Sequence, residues 1–328
     1  MKNPNGTRIG IVNPLTLAGN EIKTILRDRA FPAARVVLLD STGESSGALT
    51  DIGDEPAVVT AVSDDELEDC DLVFFCGPAE KNREWLQRAE DDGFLAVDLS
   101  QPVPAEGARL AVAGVNLDEI TAADRVVASP HPVTVPIALV LHQIERLGRV
   151  ESCTATVIQP ASELGQAGVE ELAQQTIAVL NIQSVPKEVF GRQLAFNLYP
   201  AAAGHEEIVV SQLRALTDPE AQLALFITQG TLFHGHTFSL FIKTAETVDV
   251  AQVKAALSEN EAIAVGAEDD QLGTIDAAAR DEVLIAEVRA DPSIRGGFWV
   301  WAVCDNLRRG SALNAVLAAE KMLFGGVN

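Results

Sequence analysis

Cationic side chains are scarce in this chain of 328 residues, which has 24 Lys and Arg against 47 Asp and Glu and a formal net charge of −23. Phosphate backbones and anionic lipid surfaces both select cationic faces, so the composition argues against a nucleic-acid or membrane partner. The chain starts without the apolar stretch of a signal peptide, and apolar runs such as residues 136–141 fall far short of the roughly 20 residues that span a bilayer. We therefore expect a cytoplasmic protein.

Cysteine and aromatic residues are also few. Cys70, Cys76, Cys153 and Cys304 form no CxxC pair and no metal-ligand spacing, which predicts reduced, buried thiols and no metal site. Residues 234–236 read His-Gly-His, which could supply a metal pair or a general base, but no third ligand stands at a useful spacing. Aromatics make up only 5% of the chain, yet 47% of the residues are hydrophobic, which is enough for a buried core.

The first part of the chain alternates between two patterns. Short apolar runs predict strands, and apolar residues at helical spacing predict helices over 19–29 and 80–90. The predicted strands cover residues 8–12, 35–39, 57–61, 71–75, 94–97 and 125–128. Strands that alternate with helices indicate βαβ units and a parallel sheet.

The second part has longer strand-like stretches. The pattern predicts strands over 151–158, 238–244 and 298–303, and helices over 168–180, 206–216 and 305–323. At about 100–200 residues per domain, the length predicts two domains.

The turn after the first strand contains few glycines. A strand, a glycine-rich turn and a helix form the dinucleotide-binding fingerprint, because glycines let a pyrophosphate approach the helix N-terminus. Here only Gly19 is kept between residues 13 and 19, and Pro14 and Leu15 would crowd the phosphates. The turn predicts a Rossmann-like unit and gives little support for nucleotide binding.

Collinear segments along the whole chain resemble the aspartate-semialdehyde dehydrogenase family. The matches include Val-Ala-Gly-Val-Asn at 112–116, Ala-Phe-Asn at 195–197, Gly-His-Thr at 235–237 and the segment from Asp305 to Ala312. The resemblance implies an NADP-dependent enzyme of amino-acid biosynthesis that works through a cysteine thioester. It also implies that the C-terminal helix returns to the cofactor domain.

Pro132 stands where the resemblance places the nucleophile. The family's NPNCST motif aligns with residues 129–134, and proline has neither a nucleophilic atom nor a backbone N–H. The family's acid/base histidine falls on His236, and the glutamine that flanks the nucleophile falls on Gln159. Its two substrate-binding arginines fall on Pro104 and Gln229.

The positions that would hold the cofactor are altered as well. By the same resemblance they are Asn13, Thr16, Gly19, Asp40, Gly43 and Asn306. Gly43 replaces the arginine that meets the 2′-phosphate of NADP, and Asp40 would repel that phosphate. Asp40 could still accept a hydrogen bond from the ribose of NAD, so weak NAD binding stays open while NADP binding is not expected.

These observations predict an α/β protein with two domains. A Rossmann-like parallel-sheet domain would cover residues 1–130 and 305–328, and an α+β domain of the dimerisation and catalytic type would cover 131–304. The function we expect is that of a catalytically inactive paralogue, a homodimer able to mix with an active relative, which acts through its dimer surface or its cleft. Two alternatives are an active NAD(P)-dependent aspartate-semialdehyde dehydrogenase and a small-molecule sensor.

Overall fold

The computed structural model describes residues 6–53, 55–92, 94–100, 108–121, 123–218, 220–267 and 270–325. By its internal contacts the chain divides into two compact units. Unit 1 comprises Met1–His131 and Ser311–Asn328, and unit 2 comprises Pro132–Gly310.

Unit 1 is built on a sheet of seven strands in the order β5-β2-β1-β6-β7-β9-β8, and all of its paired strands run parallel. The order runs outwards from β1 in both directions, so the crevice at the carboxyl ends of β1, β2 and β6 is the place where such folds bind ligands. A separate hairpin is formed by β3 and β4. The strands of unit 1 are β1 (Thr7–Val12), β2 (Ala33–Asp40), β3 (Leu49–Ile52), β4 (Glu55–Val58), β5 (Thr60–Ala61), β6 (Leu72–Phe75), β7 (Leu95–Asp98), β8 (Arg109–Leu110) and β9 (Val126–Ala128).

Helices cover both faces of this sheet, as the continuous apolar strands require. Helices α1 (Leu17–Asp28) and α8 (Leu313–Phe324) bury apolar residues with Ile9, Ile11 and Phe74 on one face. Helices α2 (Asp64–Glu68) and α3 (Ala79–Asp92) contribute Leu67 and Leu86 to the core of the other face. The expected Rossmann-like fold, with the C-terminal helix returned to the first unit, is confirmed.

Unit 2 is built on a mixed sheet of seven strands in the order β11-β12-β10-β13-β16-β15-β14. Strand β10 pairs in parallel with β12 and antiparallel with β13, and β16 pairs antiparallel with both β13 and β15. The strands are β10 (Val150–Gln159), β11 (Leu198–Pro200), β12 (Gln222–Gly230), β13 (His236–Thr244), β14 (Ile263–Val265), β15 (Val283–Ala290) and β16 (Gly297–Cys304).

One face of this second sheet is covered by helices. Helix α4 (Thr134–Glu145) packs on β10, α6 (His205–Leu216) on β12, and α7 (Val250–Ser258) on β14 and β15. Helix α5 (Gly165–Leu180) packs against the short 3₁₀ turn Ala161–Leu164 that precedes it. The opposite face exposes Thr154 and Thr156 of β10 together with Phe226 of β12 and Trp301 of β16.

Two element predictions need correction. The single strand expected over 57–61 is split, because β4 pairs with β3 in the hairpin and β5 joins β2 in the main sheet. The helix expected over 305–323 begins later. Residues 308–312 form a π-helical turn, and the regular α-helix starts at Leu313. Residues 305–310 therefore belong to unit 2.

Among the described residues, no helix has both the length and the apolar character needed to cross a membrane.

Candidate functional site

Four side chains form one row across the sheet of unit 2. Gln229 of β12 lies in register with Gln159 of β10, and His236 of β13 lies in register with Cys304 of β16. Ile158 of β10 pairs antiparallel with Thr237 of β13, so the next residue of β10, Gln159, lies opposite the preceding residue of β13, His236. Directly paired residues share a face of the sheet, so the row runs Gln229, Gln159, His236, Cys304.

The row lies on the helix-covered face of the sheet. Along β10 the side chains of Cys153, Ala155, Val157 and Gln159 are buried, and they alternate with the exposed Thr154 and Thr156. This period of two is that of a strand with one covered face. All four members of the row are buried, with exposed fractions of 3% or less.

The two glutamines form a neutral pair. The amide Nε2 of Gln159 donates to Oε1 of Gln229 at 2.8 Å, and Nε2 of Gln229 donates to the backbone oxygen of Gln159 at 3.3 Å. The resemblance places a substrate-binding arginine at position 229. Gln229 gives that position no charge, and its amide is engaged by its neighbour on β10.

His236 lies beside a buried carboxyl group. Its Nε2 is 3.4 Å from Oε1 of Glu163, whose side chain is only 9% exposed. Burial raises the pKa of Glu163 to about 7, although the hydrogen bond from Asn306 acts in the opposite direction. A carboxyl that titrates near neutral pH next to an imidazole can exchange a proton with it, as the residues of an acid/base site do.

Asn306 holds this part of the site together. Its Nδ2 donates to Oγ of Ser162 at 3.0 Å and to Oε1 of Glu163 at 3.1 Å, and its Oδ1 accepts from the backbone N–H of Gly235 at 2.9 Å. The asparagine thus ties the turn before α5 to the start of β13. Asn306 lies in unit 2, just after β16.

Pro132 lies in the turn just before α4. The backbone of Gly310 packs closely on it, because a Cβ at position 310 would be 3.1 Å from the carbonyl oxygen of Pro132. Thr134, the first residue of α4, donates from Oγ1 to Oε1 of Gln212 on α6 at 2.7 Å, and both side chains are buried. The position that the resemblance assigns to the nucleophile therefore carries a proline in a packed turn.

The cysteines are poor nucleophiles where they lie. Burial raises the thiol pKa of Cys70, Cys76 and Cys153 to about 12, and burial also raises the pKa of Cys304. A thiol with such a pKa is thiolate in about one molecule in 10⁵ at pH 7. Cys153 lies six residues before Gln159 on the same strand, which is about 20 Å along β10. Cys304 is in the row, but it is fully buried and its Sγ donates to the carbonyl oxygen of Asp305 at 3.4 Å.

In unit 1, Asn13 is buried in the crevice at the carboxyl ends of β1, β2 and β6, where this type of fold binds a dinucleotide. Its Nδ2 donates to Oγ of Ser41 at 2.9 Å and to the carbonyl oxygen of Cys76 at 2.8 Å, while its Oδ1 accepts from the backbone N–H of Ser41 at 3.0 Å. Asn82 completes the network through Ser41 Oγ at 2.8 Å and the carbonyl oxygen of Cys76 at 2.8 Å. The ends of β1, β2 and β6 are therefore joined by protein side chains.

Thr16 and Gly19 shape the start of α1. Oγ1 of Thr16 accepts from the backbone N–H of Gly19 at 3.1 Å, which caps the helix, and it donates to the carbonyl oxygen of Asn13 at 2.9 Å. A Cβ on Gly19 would be 2.7 Å from that same carbonyl oxygen. The glycine is needed here for close packing of the turn on the helix.

The carboxylate of Asp40 accepts hydrogen bonds from the loop that follows it. Its Oδ1 accepts from the backbone N–H and Oγ1 of Thr42, and its Oδ2 accepts from the backbone N–H of Ser45 and Oγ of Ser46. Burial acts to raise the pKa of this carboxyl, but these hydrogen bonds outweigh it and lower the pKa to about 2. Gly43, at φ +81°, forms the tip of the loop, with open space around it. Asp40 is thus a structural acceptor, engaged before any ribose arrives.

Of the residues singled out from the sequence, the structure brings Gln159, Gln229 and His236 together in the row and groups Asn13, Thr16 and Gly19 in one turn. Pro104 lies outside the described residues. Sequence reasoning missed Glu163, Gln212 and Asn82, which stand in no motif. Gln212 follows a short apolar run at 208–210, which was a weak signal, whereas Asn82 stands among the charged residues of 80–84 and gave none. Within the described ranges no group of three or more His, Cys, Asp or Glu side chains could hold a metal ion.

Comparison with known proteins agrees with this architecture. Residues 8–123 match the family model of the semialdehyde dehydrogenase NAD-binding domain, and residues 141–309 match that of the semialdehyde dehydrogenase dimerisation domain. A relative from Azotobacter vinelandii, named USG-1 protein homolog, is 32% identical over 331 residues, which cover 97% of this chain and 98% of the relative.

Solved structures superpose along nearly the whole chain. A probable aspartate-semialdehyde dehydrogenase from Pseudomonas aeruginosa has a TM-score of 0.92 at 29% identity, covering 97% of this chain and 98% of its own. Aspartate-semialdehyde dehydrogenase II from Vibrio cholerae, complexed with ASA, has a TM-score of 0.90 at 26% identity, covering 96% and 97%. The resemblance drawn from the motifs is confirmed, and the chain belongs to the semialdehyde dehydrogenase family.

Proposed function

We propose that this chain is a catalytically inactive member of its family. The observation that carries the proposal is the combination of Pro132 at the nucleophile position with four buried cysteines whose thiol pKa values are all raised. Thioester catalysis needs a thiolate, a base to activate it and room for a tetrahedral intermediate. The base position is kept in His236, but it has no nucleophile to activate.

The neutral pair of Gln159 and Gln229 supports the same conclusion. A carboxylate substrate held by a guanidinium gains two charge-assisted hydrogen bonds, which an amide already bound to its neighbour does not supply. Orientation of a bound substrate contributes several kcal/mol to catalysis, so its loss compounds the loss of the nucleophile.

Nucleotide binding is not part of the proposed function. Asn13 joins three strand ends at the crevice where the fold would receive a pyrophosphate, and Asp40 is satisfied by its own loop. A nucleotide that uses these groups would have to replace hydrogen bonds that are buried or partly buried, at a cost of about 1–3 kcal/mol for each group left unpaired. We expect no tight binding of NADP, and at most weak binding of NAD.

The proposed mode of action is assembly through the open face of the unit 2 sheet. Phe226 is 51% exposed and Trp301 is 38% exposed, and the register places them in one row with Thr156 and Ser239. Large apolar side chains on an uncovered sheet face favour a protein partner. The matched family model describes this part of the chain as a dimerisation domain, so we propose a homodimer, which could also pair with an active relative.

The test is turnover of aspartate semialdehyde with phosphate and NAD or NADP, using protein from a host deleted for its own enzyme. We expect a rate more than about a hundredfold below the roughly 10 per second of a typical enzyme. Pro132→Cys alone should not restore the rate, because Gln229 and Asn13 remain. A typical rate in the unaltered chain would overturn the proposal in favour of an active dehydrogenase.

A matched control assigns any residual rate. Cys304→Ala removes the thiol of the row, and Cys70→Ala removes a buried thiol in the other unit. A residual rate unaffected by both substitutions excludes these two cysteines as its source. Loss of the rate with Cys304→Ala alone would identify Cys304 as a working nucleophile and contradict the proposal.

A further inference from the structure

We propose that the amide end of the row, Gln159 with Gln229, binds the primary carboxamide group of a small uncharged ligand and rejects the isosteric carboxylate. The inference rests on the proposed function, because a non-catalytic chain keeps its site for binding alone. It adds the chemical class of the ligand.

The first observation is an acceptor without a donor. The Oε1 atom of Gln159 is buried, and none of the described residues donates a hydrogen bond to it. An unsatisfied buried acceptor costs about 1–3 kcal/mol, and buried polar groups in native proteins rarely lack a partner. The residue is only 3% exposed, so bulk solvent does not reach this acceptor, and its donor is either a bound water or a ligand held in the site.

The second observation is the donor beside that acceptor. A glutamine amide has two N–H groups, and Nε2 of Gln159 gives one of them to Gln229 at 2.8 Å. The second N–H and the vacant Oε1 belong to the same planar amide. A primary carboxamide offers the reverse arrangement, with an oxygen to accept and an N–H to donate, so the two groups can form a cyclic pair.

The third observation is the charge around the pair. A carboxylate has acceptors only, so it would set its lone pairs against Oε1 of Gln159. Next along the row lies His236, with the carboxyl of Glu163 at 3.4 Å from its ring. Gln229 contributes no positive charge. The buried guanidinium of Arg309 acts on Cys304 at the far end of the row, two strands away from Gln159. A carboxylate entering at the amide pair would therefore lose its hydration with no cation among its directly paired neighbours.

The experiment compares propionamide with propionate, which differ in charge and in donors but have nearly the same shape. Binding to the full chain is followed by thermal shift and by saturation-transfer NMR at matched ionic strength. We expect propionamide to raise the melting temperature and to bind at least about tenfold more tightly than propionate. L-asparagine and L-aspartate, as a second pair, should show the same order.

Variants locate the effect. Gln159→Met removes the vacant acceptor and should abolish the response to propionamide, whereas Gln143→Met makes the same change at a buried glutamine of α4 and should preserve it. Gln229→Arg adds a cation and should reverse the preference towards propionate. Because the ligand pair is compared on the unaltered chain, the proposal stays testable even if a variant fails to fold.

Equal binding of the two ligands, tighter binding of propionate, or no binding of either would overturn the inference; the last result would mean that water alone satisfies Gln159. None of these results depends on turnover. An active chain that prefers the amide would refute the proposed function only, and an inactive chain that binds propionate would refute this inference only.

Discussion

The buried carboxyl of Glu163 makes the stability of unit 2 depend on pH, and Glu163→Gln removes that dependence. Glutamine keeps the shape of the side chain and an oxygen that can accept from Asn306, which donates to Glu163 at 3.1 Å. The substitution therefore deletes one ionisation and leaves the packing in place. His236, at 3.4 Å, keeps its neighbour.

The magnitude follows from the pKa. Burial raises the pKa of Glu163 from 4.5 to about 7, so the folded chain holds this proton more tightly than the unfolded chain does. The stabilisation from the protonated form is fully present below pH 4.5 and is lost as the pH rises through 7. A difference of this size corresponds to about 3 kcal/mol in the free energy of unfolding.

The assay is urea unfolding from pH 5 to pH 8, followed by the fluorescence of Trp299 and Trp301 in unit 2. We expect the wild-type chain to lose about 2.5 kcal/mol of stability relative to Glu163→Gln across this range, because part of the full effect has already occurred at pH 5. The two proteins differ only at position 163, so the contributions that they share cancel in the difference. Glu170→Gln, an equal change of charge on the exposed surface of α5, should leave the wild-type pH dependence unaltered.

Two outcomes would refute this reasoning. Parallel pH curves for the wild-type chain and Glu163→Gln would mean that the carboxyl does not titrate near neutral pH in the folded chain. A wild-type chain that gains stability over the variant as the pH rises would mean that a cation stabilises the ionised form of Glu163.

Three further predictions concern packing, the nucleotide and assembly. Gly19→Ala should cost about 1–3 kcal/mol in urea unfolding, because the new Cβ meets backbone atoms of residues 13 and 14. Gly273→Ala should cost little, because its Cβ comes only within 3.9 Å of the Asp276 carboxylate, and equal effects of the two substitutions would contradict this. Calorimetry should give the wild-type chain a dissociation constant for NADP above about 1 mM, and the double substitution Asn13→Gly with Gly43→Arg should lower that constant. Micromolar binding of NADP to the wild-type chain would contradict this prediction. Light scattering should give the wild-type protein a mass of about twice the 34.8 kDa of one chain, and Trp301→Glu should reduce that mass to the mass of one chain. A wild-type mass near 35 kDa would exclude the dimer.

Much of unit 1 could be predicted from local patterns. Continuous apolar runs that alternate with helical spacing are the signature of buried parallel strands, and they gave the strands near residues 8–12 and 71–75. The prediction of one strand over 57–61 was wrong, because hydrophobicity alone does not show where the chain stops pairing with one strand and starts pairing with another. There β4 ends and β5 begins two residues later.

The candidate site shows the same limit. The proline at position 132 and the glutamine at 229 could be read from the sequence, since a substitution in a motif is a local fact. That Gln229 bonds to Gln159, seventy positions away, depends on the register of two strands, which is set by packing across the whole sheet.

Residue types and short spacings alone predict the class of fold, the proline at the position that the resemblance assigns to the nucleophile, and the poor fit of the first turn to a dinucleotide. Three features became visible only in the folded chain: Asn13 joins the ends of three strands, Glu163 contacts His236 in a buried position, and the Oε1 atom of Gln159 has no donor among the described residues. The physical reason is that a hydrogen bond or a pKa depends on which groups come within a few ångströms in the absence of water. Residues far apart in the sequence reach such distances only when the strands and helices pack.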